Sequence, residues 1–346
     1  MKLDSYALQP DTILQGKYHI LLPIGKGGFS ITYLAEQTSD GVTVALKELF
    51  NSEYMVRVAP ENAVHIDCDP SLTKVERDRD QFMNEWTILK RFASYPGIVR
   101  PIELFEENNT IYIAMEHLSG GSLKDNVRFK GRYDADSVLK KMSNVLDLLA
   151  EMHKLGFVHG DISPDNLVLG EDGTYNLIDF GAVRQIGTTR MTGEILWKEG
   201  YTPAETMGDL AKADQKIDIY SICATLYYAL TGLAPIDSTE RMYDDKLQPL
   251  SELRPEVDPI IDRLVMKGLS MDPEERWKNI EEMQDVIRQY GKTEDERKRE
   301  EEIIVRKKRR KKTGLRLITG PVPTKWTITN RLLCRSRTFP FFPKKI

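Results

Sequence analysis

The sequence predicts an α+β protein with two lobes: a small antiparallel sheet with one main helix, followed by a mostly helical part. Short apolar runs separated by tight turns occupy residues 18–115, a pattern typical of antiparallel strands. Longer apolar stripes at helical spacing follow, beginning with residues 135–155. The chain of 346 residues is long enough for two lobes and a tail.

The distribution of charge separates the body of the chain from its end. Residues 1–291 carry a net charge of −16, whereas residues 292–346 carry +12. The overall content of 40% hydrophobic and 29% charged residues is ordinary for a globular protein. We therefore expect a folded body and a basic, flexible tail over 292–346. A run of this kind is usually solvated, and its sharper interpretation is contact with anionic surfaces.

The cysteines favour a reducing compartment. Cys68, Cys223 and Cys334 are far apart, odd in number and free of any C-x-x-C spacing, so we expect a cytoplasmic protein without disulfides. No segment reaches the roughly 18 uncharged apolar residues that a membrane-spanning helix needs. The sequence accordingly predicts no transmembrane segment.

The first strands form a predicted meander with a glycine-bearing turn. After a lead-in over 1–17, apolar runs at 18–24, 31–35 and 42–49 read as antiparallel strands. Glycines between the first two runs would let backbone N–H groups approach phosphates without a Cβ in the way. Taken alone, such a cluster is more often a plain hairpin turn.

Three oxygen-bearing side chains point to a magnesium nucleotide site. Residues 158–166 read V-H-G-D-I-S-P-D-N, and Asp179 opens Asp-Phe-Gly thirteen residues after Asn166. Asp161, Asn166 and Asp179 are oxygen donors, and Mg²⁺ prefers oxygen ligands in octahedral geometry. Short apolar strands on either side would hold these groups on loops of a rigid scaffold.

Further motifs, taken in their order along the chain, indicate a family resemblance. The sequence G-K-G-G-F at 25–29 and V-A-L-K at 44–47 lie upstream of the oxygen donors, and P-A-E at 203–205, Asp218 and Arg276 lie downstream. With these motifs the chain resembles the eukaryotic-like, bacterial-type serine/threonine protein kinases over about residues 18–290. The resemblance implies a kinase domain over 18–291, divided into an N-lobe (18–116), a hinge (117–120) and a C-lobe (121–291).

The resemblance also implies roles for single residues. Asp161 would accept or orient the proton of the substrate hydroxyl, and Asn166 and Asp179 would bind Mg²⁺. Lys47 would position the phosphates of ATP and pair with Glu85, which lies at the edge of an apolar helical stripe. The remaining ATP contacts would come from the glycine-bearing turn and the hinge, at Ile24, Gly25, Gly27, Gly28, Glu116 and Leu118, with Met115 as gatekeeper.

Three features depart from the family pattern. Gly160 stands where many members have an arginine that receives an activation-loop phosphate, so activity should depend less on phosphorylation of that loop. Ser163 stands where serine/threonine kinases usually carry a lysine near the γ-phosphate, which removes a positive charge from the catalytic loop. The gap between Lys47 and Glu85 is also long, and residues 51–74 read as an inserted loop.

The region after Asp179 favours a protein as the substrate. Residues 182–202 resemble an activation segment, and an ion pair between Glu205 and Arg276 would fix a shelf for a peptide. We expect protein substrates and self-association for autophosphorylation in trans. Candidate threonines are Thr188, Thr189 and Thr192 for autophosphorylation, and Thr192 or Thr202 beside the substrate hydroxyl.

Two other interpretations stay open at this point. A small-molecule kinase is the first, because His-Gly-Asp followed by asparagine also occurs in enzymes that phosphorylate metabolites. A pseudokinase that acts as a scaffold is the second, although intact Lys47, Asp161, Asn166 and Asp179 speak against it.

Overall fold

The computed structural model describes residues 6–58, 62–67, 72–187, 197–207 and 214–292. The basic tail from 293 onward, Cys68, Cys334 and the candidate threonines Thr188, Thr189 and Thr192 lie outside these ranges. Within the described ranges, none of the helices is both long and apolar enough to cross a membrane.

One six-stranded antiparallel sheet forms the first lobe. In chain order its strands are β1 (Ile13–Leu14), β2 (Tyr18–Lys26), β3 (Ser30–Gln37), β4 (Thr43–Leu49), β7 (Pro101–Glu107) and β8 (Thr110–Glu116). Their spatial order is β1-β2-β3-β4-β8-β7, with neighbouring strands hydrogen-bonded. The glycine-bearing turn joins β2 to β3, and the central strand β4 lies between β3 and β8.

The lead-in and the inserted segment are more ordered than the sequence predicted. The lead-in adds the short strand β1 to the sheet edge and buries Leu8. Residues 51–74, predicted to be a loop, contain an antiparallel hairpin of β5 (Met55–Val58) and β6 (Ala63–Ile66). The prediction failed because two four-residue strands with mixed polarity lack a strong alternating pattern.

The main helix of the first lobe, α1 (Leu72–Phe92), packs its apolar stripe into the core. Phe82, Leu89 and Phe92 are fully buried, and Trp86 is half-buried against them. Their spacing of three, four and seven residues places them on one face of the helix. Glu85 follows on the same side and is also fully buried.

The second lobe is mostly helical. Its helices are α2 (Leu123–Lys130), α3 (Ala135–Lys154), α4 (Lys216–Thr231), α5 (Ser238–Arg241), α6 (Leu250–Leu253), α7 (Pro259–Gly268) and α8 (Ile280–Tyr290). Two small two-stranded sheets lie beside them, formed by β9 (Phe157–Val158) with β12 (Arg184–Gln185) and by β10 (Leu167–Leu169) with β11 (Tyr175–Leu177). The predicted two-lobed α+β fold is confirmed.

A buried polar network connects the inserted hairpin to the sheet. The carboxylate of Glu48, which is fully buried on β4, accepts hydrogen bonds from the hydroxyls of Tyr33 and Tyr112. The guanidinium of Arg57 on β5 donates to the same carboxylate at 2.6 Å. Arg57 also donates to the carbonyl of Tyr6, so one cation holds the lead-in, the hairpin and the sheet together.

We expect the variant Arg57→Leu to lose about 3–5 kcal/mol of unfolding free energy, because it leaves the Glu48 carboxylate buried without its cation. The matched control is Arg79→Leu, which removes an exposed ion pair with Glu106 and should cost less than about 1 kcal/mol. Urea unfolding of the two variants and the wild type measures the difference. Equal losses in both variants would contradict the assigned role of the Glu48 network.

Candidate active site

The loop between β9 and β10 carries Asp161 and Asn166. Its backbone is hydrogen-bonded to the carboxylate of Asp218. Asp218, at the start of α4, is fully buried and accepts hydrogen bonds from the backbone amides of His159 and Gly160. His153 on α3 contacts the same carboxylate at 2.8 Å. These bonds lower the pKa of Asp218 although burial alone would raise it. The loop backbone is therefore pinned to two helices of the second lobe.

Asp161 and Asn166 face each other across this loop. The side-chain amide of Asn166 donates at 2.8 Å both to the main-chain carbonyl and to the carboxylate of Asp161. Because the nitrogen is used in this way, the Asn166 Oδ1 atom is left as the oxygen that can serve a cation. Burial raises the pKa of Asp161 above the ordinary aspartate value, and the ammonium of Lys198 opposes that shift.

Lys47 connects three elements through its ammonium. It lies 2.7 and 2.8 Å from the two carboxylate oxygens of Glu85 on α1, and 3.1 Å from Asp179 Oδ1 after β11. Lys47 is not an exposed lysine at a strand end, because its side chain is only 9% exposed. Three residues spread over 132 positions of the chain thus meet at one buried point.

The charges at this point stabilise one another. Burial lowers the pKa of Lys47, but the carboxylates of Asp179 and Glu85 outweigh it, so the net shift is upward. Burial raises the pKa of Glu85 to about 7, and Lys47 opposes that effect only in part. For Asp179 the upward effect of burial is exceeded by Lys47 and by the Gly181 amide, which lower its pKa to about 2. Asp179 is therefore ionised at neutral pH.

A cavity of about 270 Å³ opens above these charges, between the glycine-bearing turn and the second lobe. Eight of the predicted ATP-contacting residues line it: Ile24, Gly25, Gly27, Lys47, Glu116, Leu118, Asn166 and Asp179. Gly28 does not; it lines a separate, smaller cavity together with Phe29. Glu85 and Asp161 lie beside the larger cavity rather than in its wall.

The predicted hinge residues Glu116 and Leu118 line one end of the cavity. Met115 and His117 complete the lining there. The Glu116 amide already donates to the carbonyl of Arg100, and the Glu116 carboxylate accepts from the Arg100 amide. A base bound at this end would therefore have to use other main-chain groups near Glu116 and Leu118.

The donor atoms fit a magnesium ion that is also held by a nucleotide. Asp179 Oδ1 accepts from Lys47 and from the Gly181 amide, so Oδ2 remains for a metal. Together with Asn166 Oδ1 this gives two protein oxygens, and Mg²⁺ is usually bound by one or two side chains plus phosphate oxygens and water. Among the residues that the structure describes, no cluster of three His, Cys, Asp or Glu side chains could hold a metal alone.

The backbone conformation at position 160 explains why glycine is found there. Its φ is +79°, in the left-handed region that favours glycine. A Cβ there would lie 3.1 Å from the carbonyl of Ala182 and 3.7 Å from Arg184 Nη1. The guanidinium of Arg184 therefore occupies the space next to the missing side chain. Its Nε and Nη2 atoms are buried without a hydrogen-bond partner within the described ranges.

Sequence reasoning missed Lys198. Its ammonium lies 3.0 Å from the Asp161 carboxylate and 3.0 Å from the hydroxyl of Ser163. The lysine lies 35 positions after Ser163, inside the predicted activation segment, so no short motif reveals the contact. The one available signal was the absence of a lysine at Ser163 itself.

The predicted partners Glu205 and Arg276 are in contact. Arg276 Nη2 donates to Glu205 Oε2 at 3.0 Å, and Nη1 donates to the other carboxylate oxygen. The same guanidinium also donates to the carbonyls of Ser270 and Lys216. The guanidinium of Arg276 thus donates to four acceptor atoms. These bonds attach the start of the 3₁₀ helix Ala204–Met207 to α4 and to the segment before α8. Thr202, just before it, is buried, and its hydroxyl accepts from the Lys198 amide.

Comparison with known proteins identifies the family. The family model described as protein kinase domain matches residues 18–288, which is more than half of the chain. The chain belongs to the protein kinase family. The family predicted from the order of the sequence motifs is confirmed.

Relatives with this domain come from bacteria and from yeast. The chain is 26% identical over 293 residues to the serine/threonine-protein kinase PrkC of Bacillus subtilis, covering 80% of this chain and 40% of that protein. It is 26% identical to PknA of Nostoc (80% and 48%) and to cds1 of Schizosaccharomyces pombe (77% and 57%). The chain thus spans about half the length of these relatives.

The two aspartates should respond differently to acid. Asp179 has a pKa of about 2 and stays ionised, so this carboxylate should add no pH dependence to Mg²⁺-dependent nucleotide binding between about pH 5 and pH 8. Asp161 has a raised pKa and is lost as a proton acceptor as pH falls. We therefore expect turnover to decline toward acid before nucleotide affinity does, as measured with a fluorescent ATP analogue and an ADP-release assay.

The nucleotide phosphates also titrate near neutrality, so the control is nucleotide binding by Asp161→Asn measured over the same pH range. This variant shares the titration of the nucleotide but lacks the aspartate. Loss of affinity before loss of turnover in the wild type would contradict the assignment of the two carboxylates.

Proposed function

We propose that this chain transfers the γ-phosphoryl group of ATP to serine and threonine hydroxyls of proteins. The observation that carries the proposal is the meeting of Lys47, Asn166 and Asp179 at the wall of one cavity, with Asp161 directly beside it. Phosphoryl transfer asks a protein mainly to position the reactants and to neutralise phosphate charge. Oxygen donors for Mg²⁺, a cation for the phosphates and a proton acceptor are all present at this place.

Each residue has a part in the proposed reaction. Lys47, held by Glu85, would contact the phosphates of ATP, while the glycine-bearing turn covers them through its backbone. Mg²⁺, held by Asn166 and Asp179, would neutralise charge on the phosphates. Asp161 would accept the proton of the attacking hydroxyl. The residues Ile24, Gly25, Gly27, Gly28, Glu116 and Leu118 would hold the nucleotide.

A protein substrate is favoured over a metabolite by the ion pair of Glu205 with Arg276. This pair fixes the chain that follows the activation segment and gives an extended peptide a rigid surface on which to lie. A metabolite kinase has no use for such a surface. A scaffold without catalysis is disfavoured because Lys47, Asp161, Asn166 and Asp179 are all present and lie close to one another.

Further parts of the proposal concern residues outside the described ranges. We keep autophosphorylation at Thr188, Thr189 or Thr192 through self-association, and contact of the basic tail with anionic surfaces, as predictions. The division into a kinase domain over 18–291 and a tail over 292–346, and the cytoplasmic location, are also proposals, although they do not rest on those residues. Phosphosite mapping of the purified protein tests the first of them.

The variant Asp161→Asn should lower phosphate transfer to a casein-like protein acceptor by about 10²- to 10⁴-fold, because it removes the general base. Nucleotide affinity should change little, since the amide that replaces the carboxylate has a similar size and keeps an oxygen for the contact with Asn166. Transfer of ³²P from labelled ATP, followed by phosphoamino-acid analysis, measures both the rate and the choice of hydroxyl.

The competing functions give different results in the same assay. A metabolite kinase would leave the protein acceptor unlabelled and phosphorylate small hydroxyl compounds. A scaffold would show no difference between the wild type and Asp161→Asn. Label on tyrosine alone would overturn the serine/threonine assignment while leaving protein kinase activity in place.

A further inference from the structure

Lys198 occupies the centre of the candidate active site although it comes from a distant part of the chain. Its ammonium is 3.0 Å from each oxygen of the Asp161 carboxylate and 3.0 Å from Ser163 Oγ. The Asp161 side chain is 5% exposed and the Lys198 side chain 28% exposed. The ammonium therefore contacts the buried Asp161 carboxylate while the lysine side chain stays partly open to solvent.

The backbone around Lys198 is held in one place. The Lys198 amide donates to the Thr202 hydroxyl, and the Lys198 carbonyl accepts from the amides of Tyr201 and Thr202. Gly200 closes this turn with a φ of +80°, and a Cβ there would lie 2.6 Å from the carbonyl of Pro235. A turn with this many fixed contacts directs the lysine side chain rather than leaving it to solvent.

The second lobe anchors the same turn from outside. Asp237, at the N-terminus of α5, accepts from the Trp197 indole and from the Gly200 amide. Ser238 donates to the carbonyl of Thr202. The position of the Lys198 ammonium beside Asp161 is thus a product of several hydrogen bonds to the helical lobe.

Charge at the site explains why a cation is needed there. Residues 159–166 contain neither lysine nor arginine, and Ser163 is neutral and fully buried. Lys47 is already shared between Glu85 and Asp179. A triphosphate bound next to Asp161 and Asp179 adds several negative charges at short range in a site of low dielectric. Lys198 contacts Asp161 directly and supplies a positive charge at this place.

We propose that Lys198 is a catalytic residue that binds the phosphoryl group during transfer, a task that a lysine at position 163 would otherwise perform. This inference rests on the proposed kinase function. In the step, the substrate hydroxyl oxygen forms a bond to the γ-phosphorus, and the bond between that phosphorus and the β–γ bridging oxygen breaks. ADP leaves with the electron pair, and the hydroxyl proton passes to the Asp161 carboxylate. The Lys198 ammonium stabilises the charge on the transferred group and loses no proton.

The origin of this cation has a regulatory consequence. In the proposed arrangement the lysine belongs to the segment after Asp179, not to the catalytic loop that Asp218 holds. Displacing the turn at 197–202 would remove the cation from Asp161 while leaving Lys47, Glu85 and Asp179 in contact. The activation segment would then control the chemical step itself as well as access for the substrate.

The test compares three changes at the two positions. Lys198→Met keeps the length of the side chain and removes its charge, so we expect kcat to fall about 10²- to 10³-fold with KM for ATP changed less than about threefold. Lys198→Ser should behave in the same way. The double variant Ser163→Lys with Lys198→Ser returns the cation to the catalytic loop. We expect its kcat to be at least about tenfold higher than that of Lys198→Ser.

The matched control is Lys124→Ala. Lys124 also forms an ion pair with the catalytic loop, but its ammonium pairs with Asp165 at 3.1 Å and its side chain is 56% exposed. The variant should retain kcat within about twofold. Thermal unfolding and nucleotide affinity of all variants, measured in parallel, separate loss of catalysis from loss of fold.

The outcomes distinguish this inference from the function on which it rests. If the wild type labels protein, Asp161→Asn does not, and Lys198→Met keeps wild-type kcat, the role of Lys198 is overturned and the kinase function stands. A rise of kcat in Lys198→Met would overturn it as well, since the lysine would then be blocking Asp161. If the wild type labels no protein, hydrolysis of ATP to ADP replaces the transfer assay for the same variants. Absence of any ATP turnover would overturn both proposals.

Discussion

The buried ammonium of Lys47 is the contact on which the arrangement of the site depends. A charged group removed from water is stable only where opposite charges and hydrogen bonds replace the lost hydration. Lys47 obtains them from Glu85 on α1 and from Asp179 in the second lobe. Because these three residues are in contact, the positions of strand β4, helix α1 and the Asp-Phe-Gly loop relative to one another are fixed. The cavity lies beside this contact.

The buried carboxylate of Asp218 holds the loop that carries Asp161. Asp218 accepts from two backbone amides of the catalytic loop and from His153, so it fixes main chain rather than another side chain. The loop that presents Asp161 is therefore held by contacts within the second lobe. Lys198 contacts Asp161 from a different element, the turn at 197–202, which Asp237 and Ser238 hold. The catalytic loop is thus fixed by a buried residue of the second lobe, whereas the cation beside Asp161 comes from the turn at 197–202.

The inserted hairpin shows how the same physics serves stability. Arg57 contacts the fully buried Glu48, which directly follows Lys47 on β4. The sequence predicts a loop for this segment, because its two short strands have no clear alternation of apolar and polar residues. The burial of Glu48 can be seen only when Tyr33, Tyr112 and the hairpin are brought together around it.

The sequence by itself determined the family, the two-lobed α+β fold and the local motifs. Apolar spacing predicted the strands and helices, and the order of short motifs from Gly25 to Arg276 predicted one site. The family resemblance implied the pairs of Lys47 with Glu85 and of Glu205 with Arg276. Only the tertiary structure showed that Lys198 meets Asp161 and that Arg57 meets Glu48. Ser163 and Lys198 are 35 positions apart and form no recognisable pattern, yet their side chains share one hydrogen bond beside Asp161. Local spacing follows from the geometry of helices and strands, whereas a contact between distant residues depends on how the whole chain packs.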